Sequence, residues 1–147
     1  MTTTEVWSLL REVRRLRFEG TSKAEMGWNG VGLGVVSVTE PSDGVLLFDE
    51  VGIWSPVTGH ESTFTNVFRW SRLGEALRLE HIRYGPEQPV FLFELVPDNA
   101  GVWREVSPHI CREDCYAATM TVAGTTLQVK WNVNGPRKQA SIRYDYT

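Results

Sequence analysis

The chain has 147 residues, 41% of them hydrophobic and 22% charged, a balance that excludes global disorder and suits one globular domain. Its formal net charge of −3 argues against a nucleic acid partner, because a duplex calls for a basic face. No apolar run approaches the ~20 residues that cross a bilayer, and Met1-Thr2-Thr3-Thr4-Glu5 lacks the basic and apolar regions of a secretory signal; no membrane partner and a cytoplasmic location are expected.

Residues 5 to 17 are expected to form an amphipathic helix, with Val6, Leu9, Leu10, Val13 and Leu16 on one face, Arg11 and Arg15 opposite, and Thr4 as N-cap. After Gly20 the period changes from 3.6 to 2. Between Gly30 and Thr39 the apolar positions run Val31, Leu33, Val35 and then Val36, Val38, which predicts a bulge near Val35. Gly30, Gly32 and Gly34 share a face stripped of side chains, a sign of a bent strand, a seat for the helix, or close passage of a ligand. Further strands are expected over 45–54, 63–71, 75–84, 90–96 and 102–106. Three closing strands follow, with shared faces Tyr116/Ala118/Met120/Val122, Leu127/Val129/Trp131/Val133 and Ala140/Ile142/Tyr144/Tyr146, of which Leu127, Val129, Trp131, Val133, Ile142 and Tyr144 are expected to point into the barrel. Short sequential strands joined by turns, with no later helix, predict a single all-β domain over 1–147: an antiparallel barrel of the lipocalin-like kind over about 18–146, opened by a short N-terminal helix.

Several residues carry chemistry. In His109-Ile110-Cys111-Arg112-Glu113-Asp114-Cys115-Tyr116 the imidazole, thiols and carboxylate are zinc-ligand types, but the spacing matches no standard structural site, and no metal is expected. His109 and Asp114 are instead expected to interact as a polar cluster with Tyr116 at one barrel end. With only Cys111 and Cys115 available, no disulfide framework exists, and both are expected as reduced thiols. Arg69 beside Trp70, His81 and Arg83, and Arg137-Lys138 place cationic groups in or near aromatic strands. An inward arginine needs a carboxylate, either internal (Glu50, Glu80 or Asp49) or on an anionic ligand.

The segments Asn66-Val67-Phe68-Arg69-Trp70, Leu79-Glu80-His81-Ile82-Arg83, His109 to Tyr116 and Trp131-Asn132-Val133-Asn134-Gly135-Pro136-Arg137-Lys138 resemble a bacterial family of small lipocalin-like (calycin-like) barrels catalogued as domain of unknown function 6314. The resemblance implies a barrel and brings no activity. Trp28-Asn29-Gly30-Val31-Gly32-Leu33-Gly34 is also similar to the glycine strand of haem-binding barrels of the nitrobindin type, whose axial histidine lies late in the chain; here the last histidine is His109.

The expected function is binding of an apolar or anionic small molecule, with no cofactor required. The expected site comprises Arg69, His81, Arg83, His109, Asp114, Tyr116, Trp131, Arg137 and Lys138. The alternatives are an enzyme acting on a small hydrophobic acid through a His109–Asp114 acid–base pair, a haem barrel, and a structural module with a filled core. The identity of the ligand and the oligomeric state are not encoded in any motif.

Overall fold

Thr2, not Thr4, caps the first helix. Its hydroxyl accepts from the Glu5 amide while the Glu5 carboxylate accepts from the Thr2 amide, a reciprocal cap that satisfies two otherwise orphaned donors. In the computed structural model, α1 therefore spans Thr3–Arg11. It is shorter than its apolar spacing suggested. Val13 and Leu16 are buried as expected, but Leu16 belongs to β1 (Arg15–Ser22), where Leu16, Phe18 and Gly20 are buried and Arg15 and Glu19 are exposed. The strand wins because it is paired on both sides: Leu16 lies opposite Tyr146 on one neighbour and Gly34 on the other. Those two ladders satisfy the backbone of residues that helical spacing alone had claimed.

The structure describes residues 1–23, 29–105, 109–111, 114–136 and 139–147, with backbone alone at 109–111, 114 and 116. After β1 come β2 (Gly30–Ser42), β3 (Val45–Pro56), β4 (Ser62–Leu73), β5 (Ala76–His81), β6 (Val90–Pro97), β7 (Trp103–Glu105), β8 (His109–Cys111), β9 (Asp114–Ala123), β10 (Thr126–Asn134) and β11 (Gln139–Tyr146). Every pairing is antiparallel. β1 to β7 pair in sequence, β7 pairs with β9, β9 with β10, β10 with β11, and β11 returns to β1. The result is a closed ring of ten strands, to which, among the described residues, β8 is appended through β9. Among the described residues β7 and β9 pair at Trp103–Met120 and Arg104–Thr119.

The expected bulge near Val35 is absent. β2 keeps one parity from Gly30 to Val38, and its irregularity falls between Thr39 and Ser42. Gly30, Gly32 and Gly34 therefore share the inner face with Val36, while Leu33 and Val35 stand exposed beside Ile53 and Val51 of β3. Nor do the glycines seat the helix. A Cβ at Gly32 would strike the ring of Phe18, and one at Gly34 would strike the backbone of Val51 and Gly52. The bare stripe leaves room for the Phe18 ring over Gly32 and for the β3 backbone beside Gly34.

The helix closes one end. Val6, Trp7 and Leu10 join the core, and Leu9 is only partly buried. Trp7, unremarked in the apolar pattern, is among the largest fully buried side chains. The Glu40 carboxylate accepts from Trp7 Nε1 at 3.4 Å and pairs with Arg11 at 3.0 Å; Thr3 donates to the Glu75 carbonyl at 2.9 Å. Two-residue turns at Gly74-Glu75 and Gly124-Thr125 keep this end compact, each using a glycine at positive φ (62° and 63°). No helix among the described residues is long and apolar enough to cross a membrane.

Candidate functional site

Strand parity sends large side chains inward along the whole barrel, yet the two ends fill differently. Toward the helix, Leu46, Phe48, Trp70, Leu77, Leu95, Trp103, Met120 and Leu127 are essentially solvent-free. Toward the opposite end the rings stand apart, and a cavity of about 480 Å³ opens among Phe18, Trp54, Phe64, Phe68, Trp131 and Tyr144, with Asn66, His81, Leu92 and Ile142 completing its wall. Phe18 stacks on Trp54 at 5.4 Å and meets Phe64 edge-on at 5.1 Å, so this wall is made of mutually braced rings. A second cavity of about 340 Å³ lies beside it, lined by Val90, Phe93, Ala118 and Val133 and sharing Leu92, Trp131 and Ile142.

The polar groups of the larger cavity are few. The ring of His81 stacks on Phe68 at 4.8 Å, and burial together with the neighbouring Arg83 holds its pKa below the ordinary histidine value. It is therefore a neutral imidazole near pH 7. Asn66 lies opposite Glu50 in the β3–β4 register. Expected as a possible partner for an inward arginine, Glu50 instead lies on the inner face of β3 at 1% exposure with no arginine beside it among the described residues. Its Oε2 accepts from the Tyr146 hydroxyl at 2.7 Å, while Oε1 has no hydrogen-bond partner. Burial pushes its pKa up to about 8, against the opposing pull of the Tyr146 hydroxyl and of the Asn66 amide that faces it. Tyr144, stacked on Tyr146 at 5.5 Å, brings its ring into the cavity wall; burial and the Glu50 charge lift its hydroxyl far above the usual range. A signal for Glu50 was present in the sequence: Leu46, Phe48 and Glu50 share one strand parity, which put an acid on an apolar face.

The sequence-named residues separate into three groups. His81 and Trp131 line the cavity. Arg69 and Arg83 do not: Arg69 is on the outer face, paired with Glu80 at 3.0 Å and donating to the Pro86 carbonyl, and Arg83 lies past the end of β5, exposed, with its guanidinium over the ring of Tyr84. An inward arginine would have needed a carboxylate inside; Arg69 found its partner across the strand on the outside. The third group is the rest of the expected site. The side chains of His109, Asp114 and Tyr116, the expected His109–Asp114 contact, and Arg137 and Lys138 altogether lie outside the described residues; the backbone of His109 and Tyr116 forms a β8–β9 pair at the mouth end. Cys115 is a free thiol, and among the described residues no three His, Cys, Asp or Glu side chains converge as metal ligands would.

A solved structure similar to this chain is that of a redesigned β-barrel, mFAP1, bound to DFHBI, at 13% identity and a TM-score of 0.42, covering 95% of this chain and 96% of that one. No curated protein matches. The chain belongs to the family of unknown function DUF6314, whose model matches residues 4–147.

Proposed function

We propose that this DUF6314 member is a small-molecule-binding barrel of the lipocalin-like type, a bacterial cytoplasmic protein that holds a mainly apolar ligand in the mouth opposite its helix. One observation carries the reading: a cavity of about 480 Å³ walled by six aromatic rings and furnished with Asn66, His81 and Tyr144. That is the size range, apolar lining and sparse polar complement of small-molecule sites. A structural module would have filled this space as the helix end is filled.

The described lining offers no cation, so the charge expected of an anionic ligand finds no partner there, and an apolar body with one hydrogen-bonding group suits the walls better. A haem reading gains little: the cavity's histidine, His81, lies stacked on Phe68 instead of standing off the wall as an axial ligand does. Isothermal titration with naphthalen-2-ylmethanol tests the proposal. Saturable one-to-one binding is expected, weakened at least tenfold by Ile142→Trp, which fills the cavity from its wall; affinity unchanged by that substitution would contradict it.

A further inference from the structure

We infer that the ligand class is a small aromatic or apolar molecule carrying a positive charge, with Glu50 as the buried group that answers that charge. The inference rests on the binding reading above and names its ligand chemistry.

The geometry has three parts. The cavity walls present Phe18, Trp54, Phe64, Phe68, Trp131 and Tyr144, and the negative faces of such rings attract organic cations. No described side chain of the lining carries a positive charge, because His81 is kept neutral and Arg69 and Arg83 lie outside. Beneath the wall sits a carboxyl whose Oε1 has no hydrogen-bond partner and which is one side chain removed from the space: its cross-strand partner Asn66 and its charge-coupled neighbour Tyr144 both line the cavity. In a site of low dielectric an ionised carboxylate acts across such a layer without direct contact.

The described groups facing Glu50 supply one hydrogen bond, from the Tyr146 hydroxyl, and no positive charge. From β11 come Tyr146 and Tyr144, from β4 Asn66, from β2 Val36 opposite it, and from β5 His81 beyond Phe68. Asp49 and Val51, its chain neighbours, are exposed on the other face. Without a ligand the carboxyl stays largely protonated at neutral pH, its pKa held near 8. A bound cation supplies the missing partner, so binding displaces the proton: Glu50–COOH plus cation gives Glu50–COO⁻ with the cation, and one proton passes to solvent.

The test uses a matched series: (naphthalen-2-ylmethyl)trimethylammonium, whose charge does not depend on pH, naphthalen-2-ylmethanol and naphthalen-2-ylacetate. Between pH 6.5 and 9 the pKa of His81 lies below the window and those of Tyr144 and Tyr146 lie above it, leaving Glu50 as the group with its pKa inside the window among the described groups facing the site. The trimethylammonium compound should bind at least tenfold more tightly at pH 9 than at pH 6.5. Over the same range the alcohol should change little. At pH 9 the cation should exceed the acetate by at least tenfold. Glu50→Gln, which imitates the protonated acid, should remove the pH dependence of cation binding while leaving the alcohol's affinity in place. Tight alcohol or acetate binding with no preference for the cation, or a pH dependence that survives Glu50→Gln, would overturn the inference and leave the binding reading standing. Failure of all three compounds to bind would overturn both.

Discussion

Glu50 concentrates the chemistry of the interior in one side chain. Its pKa in the folded chain is about 8 against an ordinary 4.5, so between those values the folded state holds a proton that the unfolded state has released. Stability is therefore full below about pH 4.5 and falls as pH climbs toward 8. Thermal melts at pH 5 and pH 8 should show this loss, and Glu50→Gln should flatten it; an identical slope in the variant would place the titrating group elsewhere. Tyr146→Phe removes the donor to Oε2 and leaves more of a buried carboxyl unsatisfied, at about 1–3 kcal/mol. Because that bond favours the ionised form, the measured loss should be larger at pH 8 than at pH 5. Trp131 and Trp70 test where packing ends and cavity begins. Trp70 is fully buried, so Trp70→Ala should cost about 3–5 kcal/mol in urea unfolding, whereas Trp131, already bordered by two cavities, should cost clearly less when cut to alanine. Equal losses would show that the mouth is packed as tightly as the helix end. At this scale the sequence was legible where parity was the question and silent where partners were. His81 and Trp131 could be placed inward from alternation, and the same alternation turns Arg69 away from Phe68 and Trp70; that Glu80 is its partner follows from a register that sequence spacing alone does not give.

Among elements, α1 and β1 show how two periodicities compete for the same residues. Leu9, Val13 and Leu16 continue a helical spacing past Arg11, yet Leu16-Arg17-Phe18-Glu19 also alternates, and double pairing of β1 with β2 and β11 decides the contest. The N-cap was missed by two positions for a local reason: Thr2, Thr3 and Thr4 are chemically alike, and only Thr2 has Glu5 at the third helical position. Thr2→Ala should therefore destabilise by about 0.5–2 kcal/mol, and Thr4→Ala, which removes an exposed contact with Arg72, by less; the reverse order in chemical denaturation would return the cap to Thr4. The glycines of β2 were legible as a bare inner stripe but not as to what lies on it. That answer required Phe18, distant in sequence and brought opposite Gly32 by the β1–β2 register.

For the whole molecule, the alternation from β2 to β11 was enough to specify an antiparallel meander, and closure follows because β11 finds β1. What alternation cannot convey is how the interior is divided. The same inward parity yields a solid half capped by α1, where Trp7 and the leucines meet, and a hollow half where rings brace one another at a distance. The proposed binding site requires that division. Indole proton–nitrogen resonances measured during titration with naphthalen-2-ylmethanol report on it most directly, since tryptophans are placed in both halves. Saturable shifts at Trp54 and Trp131, with Trp7, Trp70 and Trp103 unmoved, are the result this account predicts. Shifts centred on Trp7, Trp70 and Trp103, or no shift at any indole at millimolar compound, would contradict it.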